Sequence, residues 1–90
     1  MITRSATVRN AYGIHVRPSS VIALAARQFQ STLTVRNEKG TKVDAKNLLG
    51  IISLGVTLGQ EVTIAADGED EADAIARLVE LFETNFDFPR

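Results

Sequence analysis

Cysteine is missing from this 90-residue chain, and histidine occurs once. Without thiols there is no disulfide framework, no thiolate metal site and no cysteine nucleophile, a usage that suits a reducing cytoplasm. A single histidine would leave a zinc ion dependent on carboxylates, and no carboxylate cluster is spaced for it, so no metal and no cofactor are expected. Aromatic residues make up only 6%, and ten Lys and Arg against eleven Asp and Glu leave a net charge of −1. Neither a stacking platform nor a basic face for RNA is therefore offered. Glycine loops of the phosphate-cradling or dinucleotide-binding type are absent. Ser19 and Ser20 coexist with several aspartates, but no strained nucleophile elbow surrounds them. No apolar run approaches transmembrane length, and Met1-Ile2-Thr3-Arg4-Ser5 lacks the apolar core of a signal peptide. With 44% hydrophobic and 23% charged residues, the composition predicts one globular cytoplasmic domain over residues 1–90.

What is present is ordered by period. Ile2 to Val8 has β-branched, partly alternating character and predicts a strand. The run from Pro18 to Phe29 predicts a helix whose core face is Pro18, Ile22, Ala25, Ala26 and Phe29, with Val21 and Leu24 beside it. Ser31 to Val35 alternates as a half-buried strand, Asn37-Glu38-Lys39-Gly40 turns, and Thr41 to Ala45 returns. Asn47 is a good N-cap for a short helix carrying Leu48, Leu49, Ile51 and Ile52. Glu61 to Ala66 predicts a strand with Val62 and Ile64 inward. Asp70 then caps a last helix with Asp73 at the third position and a core stripe of Ile75, Leu78, Val79, Phe82 and Phe86. Asp87-Phe88-Pro89-Arg90 reads as a loosely held tail. The order is β-α-β-β-α-β-α, an α+β sandwich of one antiparallel sheet with helices on one face. Val21, Leu24 and the surplus apolar residues after Asn47 have two readings, a broad core face or an exposed partner surface.

The chemistry collects at Gly13-Ile14-His15-Val16-Arg17-Pro18. Asn10-Ala11-Tyr12-Gly13 carries turn residues, and Pro18 suits the first turn of a helix, where its missing N–H costs nothing. His15 is thus placed at the rim of a helix N-terminus, with Arg17 in the first turn. Free N–H groups and the positive end of the helix dipole make such a place an anion site. From the residues alone His15 has two readings, a cap or surface histidine, or an imidazole that accepts a phosphoryl group beside a guanidinium suited to hold it. By contrast, Glu69-Asp70-Glu71 sits at a helix start where the dipole already accounts for it.

The motif Gly13-Ile14-His15-Val16-Arg17-Pro18 closely resembles the active-site motif of the HPr family, the histidine-containing phosphocarriers of the phosphoenolpyruvate-dependent phosphotransferase system. Val43-Asp44-Ala45-Lys46-Asn47-Leu48-Leu49-Gly50, Ser53-Leu54-Gly55, Gly59 to Ile64 and Gly68 to Ala72 extend the resemblance over nearly the whole chain. It implies an open-faced β-sandwich, with four antiparallel strands and three helices on one face. It further implies a monomeric relay, in which phosphorylated enzyme I passes its phosphoryl group to Nδ1 of His15 and a IIA domain takes it onward. Arg17 matches the phosphate-stabilising arginine. Val16, Ser20, Val21, Leu24 and Arg27 on the first helix, with Leu48, Leu49 and Ile52 on the second, match the docking surface. This favours the partner-surface reading of the surplus apolar residues.

Two positions depart from the family pattern. Val16 stands where a smaller residue is usual. Asn47 replaces a serine that many members have phosphorylated by a dedicated kinase, and it has no hydroxyl, so that regulatory switch is expected to be absent. Within the family the sugar branch is implied by Ser53-Leu54-Gly55. The nitrogen-related branch is implied by Leu81-Phe82-Glu83-Thr84-Asn85-Phe86-Asp87 and by Arg36 to Thr41. A regulatory binding protein that never carries phosphate is the further alternative, though relatives of that kind replace the histidine.

Overall fold

Alternation in the strands decides where the core lies. In a computed structural model, which describes residues 1–11 and 13–86, the strands are β1 (Ile2–Thr7), β2 (Thr32–Arg36), β3 (Lys42–Asp44) and β4 (Glu61–Asp67). They form one antiparallel sheet in the order β1-β4-β2-β3. Ala6, Leu33, Val35, Val62, Ile64 and Ala66 are buried on one face. On the other, Thr3 lies opposite Ala65, Thr34 opposite Ala65, and Ser5 opposite Thr63. Successive residues of a strand point to opposite sides, so every second residue goes inward and the threonine face is left to solvent. The helices α1 (Val16–Ala26), α2 (Leu48–Ser53) and α3 (Glu71–Phe82) cover the apolar face, as the open-faced sandwich requires. Among the described residues no helix is long and apolar enough to cross a membrane.

The helix faces differ in detail from the periodic reading. In α1 the buried residues are Pro18, Ser19, Ile22, Ala23 and Ala26, while Ala25 and Phe29 are half-buried. The helix packs against both α2 and α3, which turns the buried face toward Ala23 and takes Ser19 inside. It also ends at Ala26, so Phe29 is carried by the following turn rather than by the helix. In α3 the buried set is Ala74, Ile75, Leu78, Leu81 and Phe82, with Val79 half-buried. Phe86 lies beyond the helix, half-buried against the same core. The expected loose tail, Asp87 to Arg90, lies outside the described residues, as does Tyr12.

Asp70 occupies the N-cap position of α3, but its side chain makes no cap hydrogen bond. Instead its carboxylate accepts from the Gln30 N–H at 2.8 Å, the Ser31 N–H at 2.9 Å and the Ser31 hydroxyl. Nor does Asp73 cap the helix. It is Glu71 that reaches back, accepting from the Gly68 N–H at 3.1 Å. The loop before β2 presents donors that a single cap bond cannot match, and so the carboxylate turns to them. The Ser31 hydroxyl, and after it the Gln30 N–H, hold the Asp70 carboxyl below its ordinary value, and the Gly68 N–H does the same for Glu71.

A depressed folded-state pKa adds stability above the unfolded value of about 4, and that stability is lost as pH falls through the folded value. Denaturant midpoints measured from neutral to acid pH should therefore drop below about pH 4. The Asp70→Asn variant should start lower at neutral pH and show a shallower acid limb. Parallel curves for the two proteins would remove Asp70 from the acid transition.

Candidate functional site

The loop between β1 and α1 is fastened at both ends. The Gly13 N–H donates to the Asn10 carbonyl at 2.9 Å, closing a turn, and the buried Asn10 amide donates to the Gly13 carbonyl from inside it. Gly13 has φ 75°, and a Cβ there would lie 2.8 Å from the Val56 carbonyl oxygen. Only glycine both adopts that conformation readily and lets the two backbones approach so closely. The next residue completes the clamp, as the Ile14 N–H donates to the Val56 carbonyl at 3.1 Å and the Ile14 side chain is buried. Pro18 and Ser19 are buried on the far side. Between these anchors His15, Val16 and Arg17 stand exposed in succession.

His15 is the N-cap of α1, with extended backbone (φ −92°, ψ −164°) and no side-chain cap bond. Its carbonyl accepts the first helical hydrogen bond, from Ser19 at 2.9 Å. The imidazole is therefore not committed to capping its own helix. No acidic residue lies in the first turn of α1, whereas α3 has Glu71 and Asp73 there. Within its first turn no carboxylate offsets the positive end of the α1 dipole, and Arg17 belongs to that turn. A helix start that carries an imidazole, a guanidinium and no acid in its first turn has the chemistry to take up an anion.

Residues 2–84 match the family model described as the PTS HPr component phosphorylation site. The chain belongs to the HPr family of phosphocarriers. It is 34% identical over 84 residues to the phosphocarrier protein NPr of Proteus mirabilis, covering 93% of each chain. It is 36% identical over 86 residues to the phosphocarrier protein HPr of Xylella fastidiosa, covering 96% of each. The crystal structure of HPr-C-His from Thermoanaerobacter tengcongensis superposes with a TM-score of 0.84 at 38% identity, covering 91% of each chain.

Around His15, the residues expected to dock partners differ in exposure. Val16, Leu24 and Leu49 are 59%, 58% and 74% exposed, far more than residues committed to a core. Val21, Leu48 and Ile52 are half-buried, and the first two pack partly on the core. Ser20 turns its hydroxyl back to the Val16 carbonyl at 2.9 Å. Arg27 Nε donates to the Lys46 carbonyl at 2.9 Å, and Lys46 Nζ donates to the Phe29 carbonyl at 2.8 Å. These crossed contacts tie the end of α1 to the loop before α2, fixing one helix against the other. Asn47 caps α2 through its Oδ1, which accepts from the Gly50 N–H at 3.3 Å.

Periodicity missed Asn10, which the turn reading noticed only as a loop former, and Leu58, 57% exposed in the loop after Val56. Leu58 lies in no helix or strand, between Gly55 and Gly59. An isolated leucine among loop glycines was its one available signal.

Proposed function

We propose that this protein relays a phosphoryl group from phosphorylated enzyme I to a IIA domain through a transient phosphohistidine at His15, in sugar uptake or its regulation. The carrying observation is the exposed His15 at the start of a helix free of first-turn acids, held on a loop clamped at Asn10, Gly13 and Ile14. The Nδ1 lone pair attacks phosphorus as the bond between phosphorus and the donor's atom breaks. The donor atom keeps that bond's electron pair, and the group passes on to the acceptor's nucleophile by the same exchange, Nδ1 then keeping the pair of the N–P bond. Arg17 and the helix-start N–H groups stabilise the phosphoryl oxygens without enclosing them, which keeps the group transferable. Incubation with enzyme I and labelled phosphoenolpyruvate should place acid-labile label on the protein. Absence of any label would leave a protein that only binds.

Val16, Leu24 and Leu49, with Ser20, Val21, Arg27, Leu48 and Ile52 around them, form the face that both partners use. Leu49→Asp tests it with the least disturbance, because so exposed a side chain contributes little to the core. Its affinity for enzyme I should fall about tenfold or more, the cost of losing one well-placed apolar anchor. Thermal stability should be unchanged. Unaltered affinity would remove Leu49 from the interface.

The nitrogen-related branch is the second reading, favoured by the NPr relative at 34% identity. Transfer rates from the labelled protein to IIA domains of the two branches decide between them. In either branch Asn47 caps α2 without a hydroxyl, so a serine kinase acting at this position has no acceptor.

A further inference from the structure

The chain downstream of α3 returns to the histidine loop. Phe82, the last residue of the helix, accepts from the Arg9 N–H at 3.4 Å through its carbonyl. Glu83 accepts from the Thr7 N–H at 3.0 Å through Oε2. Asn85 accepts from the Ala11 N–H at 3.1 Å through Oδ1. The segment is itself held, since the Thr84 hydroxyl donates to the Glu80 carbonyl at 2.6 Å and Phe86 packs on the core. Three successive contacts thus run from residues 82–85 to residues 7–11, and the last reaches the turn that presents His15.

Ala11 sits inside that turn, whose own bond uses the Gly13 N–H and the Asn10 carbonyl. That bond does not engage the Ala11 N–H. Asn10 and Val56 fasten the Gly13 end of the turn, and Asn85 fastens the Ala11 end. We propose that Asn85 is a positioning residue for phosphoryl transfer, fixing the Asn10–Gly13 turn and through it the direction of the His15 ring. This rests on His15 being the phosphoryl acceptor. The Asn85 side-chain hydrogen bond goes to the turn, at the Ala11 N–H, so on this proposal it acts on the chemical step and not on partner binding.

The test compares Asn85→Ala, which removes the acceptor oxygen, with Asn85→Asp, which keeps one. Small misplacements of a reacting group cost up to about a hundredfold in rate, and loss of one brace at an exposed turn should cost about three- to tenfold. The expected result for Asn85→Ala is a kcat for phosphorylation by enzyme I lower by that factor, with KM unchanged. Asn85→Asp should restore it. In parallel, the Ala11 amide should exchange faster and the His15 ring signals should shift in NMR spectra of Asn85→Ala, with both recovering in Asn85→Asp.

Equal behaviour of the two variants, a raised KM with constant kcat, or a lowered melting point with unmoved His15 signals would each overturn the proposal. If wild-type protein takes no label, the relay fails on its own account. The NMR comparison then decides for or against the brace without it.

Discussion

His15→Ala should fold like the parent protein and carry no acid-labile phosphoryl group at all. Both halves of that expectation come from the same local geometry. An N-cap side chain ordinarily secures its helix, and replacing a good cap by alanine costs about 1 kcal/mol. His15 makes no side-chain cap bond, so alanine forfeits no such contact, and the Ser19 N–H keeps its bond to the residue 15 carbonyl at 2.9 Å. The anchors on either side, Ile14 and Pro18, are buried and untouched. Melting temperature should therefore stay within a few degrees of wild type. Label should vanish entirely, because no second histidine or cysteine exists in the sequence to take its place. Label persisting on the variant would move the acceptor to another side chain. A variant that failed to fold would show that the imidazole supports the loop in a way its exposure does not suggest.

Much of this arrangement is legible in the sequence, and the failures have physical causes. The strands are read correctly because alternation with period two records directly which residues face the helices. Val62 and Ile64 turn inward as their pattern demands. The place of His15 at the start of α1 is legible because glycine and proline each have a restricted use around a helix start, and their spacing leaves few geometries. Helix faces are read less well. A helix packed against two neighbours buries a wide face, and period alone cannot say on which side it widens. Ala23 and Ser19 are fully inside, while Ala25 and Phe29, which the period places on the core face, pack on it half-buried. The Ser19 hydroxyl is buried without a hydrogen-bond partner among the described residues, so nothing in its chemistry announced the position.

Contacts between distant polar residues are the least legible. Asp70 has the residue type and place of a cap. Its partners, Gln30 and Ser31, are about forty positions away in the chain and come within reach only once β2 lies beside β4. Asn85 is the same case at longer range, meeting Ala11 only after the whole chain has closed. Local preference yields to such partners whenever they offer more hydrogen bonds than the helix end does.

Substituting Gly68 by alanine should be the most damaging single methyl group in the molecule. A Cβ at residue 68 would lie 2.6 Å from the Ser31 hydroxyl oxygen and 2.7 Å from the Ser31 Cα, with φ at 156°. The nearest obstacle includes backbone, which cannot swing aside as a flexible side chain would. Ser31 is itself buried and bonded to Asp70 through both its N–H and its hydroxyl. To make room, the loop must retreat from β4 and α3 together, breaking the contacts that hold Asp70. Overpacking of this kind costs about 1–3 kcal/mol, and backbone reserved for glycine adds about 1–3 more. Against a total stability of about 5–15 kcal/mol, the melting point should fall by about 10 °C or more. Gly40→Ala is the control: that glycine also has positive φ, at 89°, but nothing lies within 4 Å of its added Cβ. It should lose only the conformational part, about 1 kcal/mol. Thermal melts of the two variants side by side separate steric from conformational cost. Equal losses would mean that the approach of Gly68 to Ser31 is looser than the structure has it. A much larger loss at Gly68 would establish the clasp around Asp70 as the joint between α3 and the strand layer.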